Sequence, residues 1–153
     1  MNVRFIADSM LGKLARWLRL IGFDTLYYPS IADEDLVKKA HNEGRIILTK
    51  DSELVRRNKE EDIIYLTSSD PYEQLKIVMK TLKLNPWERL FSRCVYCNKP
   101  VEKVKSLSEI KQKVPSYAYQ NHFSFYRCPE CGRIYWEGSH HSKIRERIKA
   151  LLE

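Results

Sequence analysis

Arg45-Ile46-Ile47-Leu48-Thr49-Lys50-Asp51 is apolar through its middle and runs out into a carboxylate. An unbroken apolar run of this length marks a strand covered on both faces, the usual condition of a parallel sheet. Just upstream, Asp33-Glu34-Asp35 opens a helix with Leu36, Val37 and Ala40 on one side, and Gly44 closes it. Further back, Val3 to Ala7 is a second short apolar run, again followed by an aspartate, Asp8. Leu11, Leu14, Ala15, Leu18 and Ile21 then recur at helical spacing, and Gly22 terminates that helix. Its other face holds Lys13, Arg16 and Arg19, and Thr25 to Tyr28 reads as a strand closed by Pro29. Downstream come a short helix through Leu54 and Val55, a strand from Ile63 to Leu66, and the clearest helix start in the chain. There Asp70 is the cap, Pro71 takes the first helical position and Glu73 follows three residues after the cap. Leu75, Val78, Met79 and Leu82 form its buried stripe, and Asn85-Pro86-Trp87 ends it. This alternation predicts an α/β domain, βαβ units around a mostly parallel sheet, over residues 1–85.

Beyond residue 85 the alternation gives way to cysteines, so a second domain is expected over 86–153. Cys94/Cys97 and Cys128/Cys131 form two Cys-x-x-Cys pairs separated by 30 residues. Two thiolates three positions apart on a tight turn can face one tetrahedral ion, and two such knuckles complete a closed shell of four sulfurs. Pro129 and Gly132 suit the second turn, and the first ends in Asn98, which also tolerates a left-handed conformation. Two disulfides and an iron site are the competing readings; the ligand spacing favours a structural zinc. His122, His140 and His141 lie nearby, but four thiolates already satisfy the ion, which leaves them as surface or nucleic-acid-facing histidines. Lys143 to Leu152 reads as a basic amphipathic tail helix.

The chain has 153 residues, 43% hydrophobic and 31% charged, and only 5 Gly and 6 Pro, which excludes collagen-like and disordered classes. No apolar stretch could cross about 30 Å of hydrocarbon, and Met1 to Asp8 lacks the pattern of a secretory signal. A cytoplasmic protein with no membrane partner is therefore expected. The formal charge of +7 is uneven: residues 1–85 carry 14 basic and 13 acidic side chains, residues 86–153 carry 13 and 7. A surplus of this kind suits a surface that neutralises phosphates, although solubility alone also produces it.

In a parallel sheet, residues just past the carboxyl ends of neighbouring strands converge on one crevice. Asp8 and Asp51 hold that position, and Asp33 opens the helix that leads into the strand before Asp51. Three gathered carboxylates repel one another unless a hard cation joins them; with Mg²⁺ or Mn²⁺ they can polarise a phosphodiester and generate hydroxide. Helix capping is the plainer reading of each: for Asp33, Glu34 and Asp35 at a helix start, for Asp51 before Leu54, and for Asp8 or Ser9 before the first helix.

The run Phe5-Ile6-Ala7-Asp8-Ser9-Met10-Leu11-Gly12-Lys13-Leu14-Ala15-Arg16-Trp17-Leu18-Arg19 resembles the opening of the mutator-seven carboxy-terminal RNase domain family. The resemblance continues through Gly22 to Thr25, Asp33 to Leu36, Gly44 to Asp51, Arg93 to Asn98, Cys128 to Gly132 and Tyr135 to His140. It implies a three-layer PIN-like nuclease fold followed by a four-cysteine zinc ribbon, with RNA as substrate. It also implies that Asp8, Asp33 and Asp51 are the catalytic acids that hold Mg²⁺ or Mn²⁺, with Glu34 and Glu53 as supporting acids. Lys13, Arg16 and Lys50 then lie near the crevice as phosphate contacts, although Lys13 and Arg16 equally suit a solvated helix face. Tyr117, Tyr119, Phe123, Phe125 and Tyr126 offer either stacking surfaces for bases or the core of the ribbon. Two alternatives stand beside the nuclease: a non-catalytic RNA-binding adaptor, and a PIN-type toxin.

Overall fold

The apolar run after Gly44 forms an inner strand of a four-stranded sheet in a computed structural model that describes residues 2–121 and 124–153. The elements are β1 (Phe5–Ala7), α1 (Gly12–Leu20), β2 (Thr25–Tyr27), α2 (Asp33–Glu43), β3 (Ile46–Thr49), α3 (Ser52–Arg57), β4 (Ile63–Tyr65) and α4 (Pro71–Leu82). The strands lie in the order β2-β1-β3-β4, and every neighbouring pair is parallel. Ile6 stands opposite Ile47, and with Leu36, Ala40 and Leu54 they make the core beneath α2 and α3. α1 packs with α4. Full burial of Ile6, Ile47 and Leu48 contributes roughly 1.5–3 kcal/mol each, more than a surface ion pair at about 0–1 kcal/mol. Apolar burial therefore sets the register.

Connections run outward from the two central strands, β1 toward β2 and β3 toward β4. The gap between β1 and β3 is thus the point where the winding reverses, and its carboxyl edge is where an open α/β sheet leaves a crevice.

Gly44 caps α2 at φ 64°, as its position predicts. Gly22 takes φ 96°, and a Cβ there would stand 2.2 Å from the Arg89 carbonyl oxygen, so the turn admits only glycine. Other ends differ from the sequence reading. α1 begins at Gly12 with Leu11 as its cap, and neither Asp8 nor Ser9 caps it. Asp70 does cap α4, accepting from the Tyr72 amide at 3.0 Å, but its own amide goes to Ser68 Oγ rather than to Glu73. α4 stops at Leu82 because Lys83 turns left-handed at φ 53°, before the Asn85-Pro86-Trp87 step is reached.

The chain groups into two compact units, Met1–Asn98 and Lys99–Glu153. The second holds an antiparallel sheet of β5 (Glu102–Lys103), β6 (Tyr126–Arg127) and β7 (Ile134–Tyr135), a 3-10 turn at Leu107–Ile110, α5 (Ser116–Asn121) and α6 (Ser139–Leu152). The tail helix starts at Ser139 rather than at Lys143. Val104, Ile110, Val114 and Phe125 form its small core, with Tyr119 and Trp136 packed against them. Phe125 and Tyr119 are therefore core residues, whereas Tyr117 and Tyr126 are exposed. His122 and Phe123 lie outside the described residues. Among the described residues no helix is long and apolar enough to cross a membrane.

Candidate active site and metal centre

The register that pairs Ala7 with Leu48 carries on one step past the strands and sets Asp8 beside Thr49. Asp8 is only 7% exposed. Its Oδ2 accepts from Thr49 Oγ at 2.6 Å and from the Lys50 amide at 2.9 Å, and its Oδ1 accepts from the Met10 amide at 2.9 Å. A carboxylate offers about four lone-pair directions, so one on Oδ1 is left. Thr49 Oγ in turn accepts from the Asp51 amide at 3.0 Å. Asp51 caps α3 through Oδ1, which takes the Glu53 amide at 2.9 Å and the Leu54 amide at 3.4 Å. Its Oδ2 has no donor among the described residues. The capping expectation for Asp51 thus holds for one oxygen and leaves the other open. Thr49, which links the two acids, was not singled out by the sequence. Only the inter-strand register reveals it.

Asp33 and Glu34 are exposed in the first turn of α2, whose cap residue is Ala32 and bonds through no side chain. They line a cavity of about 580 Å³ together with Lys38, His41, Arg57 and Glu61. Glu53 is paired with Arg56 within α3. The structure therefore joins Asp8 to Asp51 through Thr49 and places Asp33 and Glu34 on the rim of a separate hollow. Among the described residues, Asp8, Asp33 and Asp51 are not drawn into one set with ligand atoms close enough to share an ion.

Lys50 reaches the loop before α4, with Nζ donating to Ser69 Oγ at 2.6 Å. Lys13 and Arg16 are exposed on α1, and the Arg16 guanidinium sits 5.4 Å from the centre of the Tyr96 ring. Arg19, grouped by periodicity with those two, behaves differently. Its Nε donates to the Thr25 carbonyl at 2.8 Å and its Nη1 to the Val95 carbonyl at 2.9 Å, which fastens the first cysteine turn to the α1–β2 end of the sheet. Burial lowers the Arg19 pKa, against the opposing pull of Cys94, Asp24 and Cys97. Asn98 completes the attachment: its Oδ1 accepts from the Thr25 amide at 2.9 Å and its Nδ2 donates to Asp24 Oδ1 at 2.7 Å. Burial alone would raise the Asp24 carboxyl, but hydrogen bonds from Arg45 and Asn98 outweigh it and hold the group below the usual carboxylate range.

Both cysteine turns close in the same way. The Asn98 amide donates to the Cys94 carbonyl at 2.9 Å and the Gly132 amide to the Cys128 carbonyl at 3.0 Å, with φ of 60° and 77°. The four sulfurs lie within 4.8 Å of one another, and none is in a disulfide. A tetrahedral shell with Zn–S near 2.3 Å needs sulfurs about 3.8 Å apart, so Cys94, Cys97, Cys128 and Cys131 can hold a zinc ion. Four thiolates close that shell against substrate.

A family model described as the Mut7-C RNAse domain matches residues 3–148, essentially the whole chain. No curated protein and no solved structure matches it.

Proposed function

Because the chain belongs to the Mut7-C RNAse domain family, we propose that it hydrolyses RNA phosphodiester bonds with Mg²⁺ or Mn²⁺ held by Asp8, Asp33 and Asp51. The observation that carries this reading is that Asp8 Oδ1, with one lone pair to spare, and Asp51 Oδ2, with no donor among the described residues, belong to two acids joined through Thr49 at the winding reversal of the sheet. When bound, the ion supplies charge neutralisation for the phosphoryl oxygens and lowers the pKa of water. Thr49 and the Lys50 amide fix Asp8 Oδ2, so that Oδ1 keeps its direction. Asp33 stands at the start of a helix that begins on the same sheet edge, and its exposed carboxylate would be the third ligand, with Glu34 beside it and Glu53 as a lesser support. Lys13, Arg16 and Lys50 hold backbone phosphates, and no side-chain nucleophile is needed. The nuclease domain of this reading is 1–85 and the zinc ribbon is 86–153, a division by chemistry; by contacts, residues 86–98 group with the first unit. The ribbon adds basic surface for RNA.

Purified protein incubated with end-labelled RNA and Mn²⁺ should cut it, and Asp8→Asn should cut at least about 100-fold more slowly, as expected for losing several kcal/mol of transition-state stabilisation. A thermal melt must accompany that variant, because an asparagine amide turned toward Met10, Thr49 or Lys50 loses a hydrogen bond. Equal cutting by parent and variant would mark a contaminating nuclease. The adaptor reading draws on the separation of Asp33 from the Asp8–Asp51 pair; RNA binding with no cleavage under any divalent ion would establish it.

A further inference from the structure

We infer that the hollow between α1 and the start of α4 is a subsite for a nucleobase and its phosphate from a single RNA strand; this deepens the ribonuclease reading and rests on it. The hollow measures about 380 Å³ and is lined by Lys13, Arg16, Trp17, Leu20, Tyr72 and Val95, with Pro71 at its edge. That volume lies in the range of small-ligand sites. Its walls divide by chemistry. Trp17 and Tyr72 meet edge to face, ring centres 5.5 Å apart at 66°, and both line the hollow, so its wall there is aromatic. Lys13 and Arg16 are three residues apart on α1 and so share one face of the helix.

Among the described residues no acid lines this hollow, whereas the cavity beside α2 is lined by Asp33, Glu34, Glu60 and Glu61. The ligand that suits aromatic walls with two cations and no anion is a flat ring that carries negative charge. A nucleotide has that form, and base stacking on aromatic side chains is the usual device of proteins that hold single strands. The Arg16 guanidinium is already held over an aromatic ring, that of Tyr96, which limits the rotamers it must give up on meeting a phosphate. α1 follows Asp8 in the chain, and Lys13 in its first turn lines the hollow, so Lys13 is the lining residue through which a strand held at Asp8 would enter it.

The test uses the full chain with three probes: adenosine monophosphate, adenosine and ribose 5-phosphate. Calorimetry should show binding of the monophosphate, with the other two at least about tenfold weaker, since each lacks one half of the recognised group. Arg16→Ala and Tyr72→Leu should each weaken monophosphate binding about tenfold, with melts recorded to confirm folding. In the parent, nitrogen-15 spectra should show the Trp17 indole and the Val95 amide shifting on addition of the monophosphate, which decides the matter even if a variant fails to fold. Absent binding, or shifts confined to other residues, would overturn the subsite. If the monophosphate binds here and no RNA is cut, the hydrolase reading fails and the subsite stands. If RNA is cut with a KM that neither variant changes, the subsite fails and the hydrolase reading stands.

Discussion

Protein purified without chelator is expected to carry one zinc per chain, and stripping that zinc should unfold the Lys99–Glu153 unit. The unit's three strands are two residues long, and its core rests on Val104, Ile110, Val114 and Phe125. Domains this small gain little from apolar burial after conformational entropy is subtracted. Structural zinc in small modules contributes about 10–16 kcal/mol of apparent binding free energy, as much as the whole stability of an ordinary domain, about 5–15 kcal/mol. Cys128→Ser removes one of four ligands and should abolish stoichiometric zinc, read by metal mass spectrometry. It should also flatten the part of the thermal melt that belongs to this unit. A chain that holds its circular dichroism and melting profile after zinc is removed would refute the prediction.

Asp51→Asn should separate capping from catalysis more cleanly than any other change. Asparagine is as good a helix cap as aspartate, and Asp51 spends only Oδ1 on the amides of Glu53 and Leu54. The variant can keep an oxygen at that place and turn its amide nitrogen to the open side. Stability should therefore change by no more than about 0.5 kcal/mol. RNA cleavage should nonetheless fall about 100-fold or more, because a neutral amide is a poor ligand for a hard divalent cation. Cleavage that survives with full rate would leave Asp51 a cap and nothing else.

These two predictions draw on parts of the chain that were unequally legible in the sequence. The order of strands and helices through α4 followed from apolar periodicity and from punctuation by Gly22, Gly44 and Pro71, because each of those signals is local. The cysteine turns were legible for the same reason, down to the left-handed Asn98. Thr49 was not, since its bond to Asp8 depends on which residue of β3 lies across from which residue of β1. The role of Arg19 was hidden for a similar reason: helical spacing groups it with Lys13 and Arg16 on one face, while its partners are carbonyls at Thr25 and Val95. The end of α4 was set by the backbone of Lys83, a residue type with no preference for the left-handed region. The acids divide along the same line. That Asp8 and Asp51 share an edge followed from strand ends, but how far Asp33 stands from them is a tertiary distance.

Anomalous diffraction from crystals soaked in Mn²⁺ tests the acid site most directly. A manganese peak is expected within coordination distance of Asp8 Oδ1 and Asp51 Oδ2, about 2.0–2.2 Å by analogy with Mg²⁺, with the Asp33 carboxylate turned toward it. A saturating soak that leaves that edge empty, with metal at the cysteine quartet alone, would contradict it.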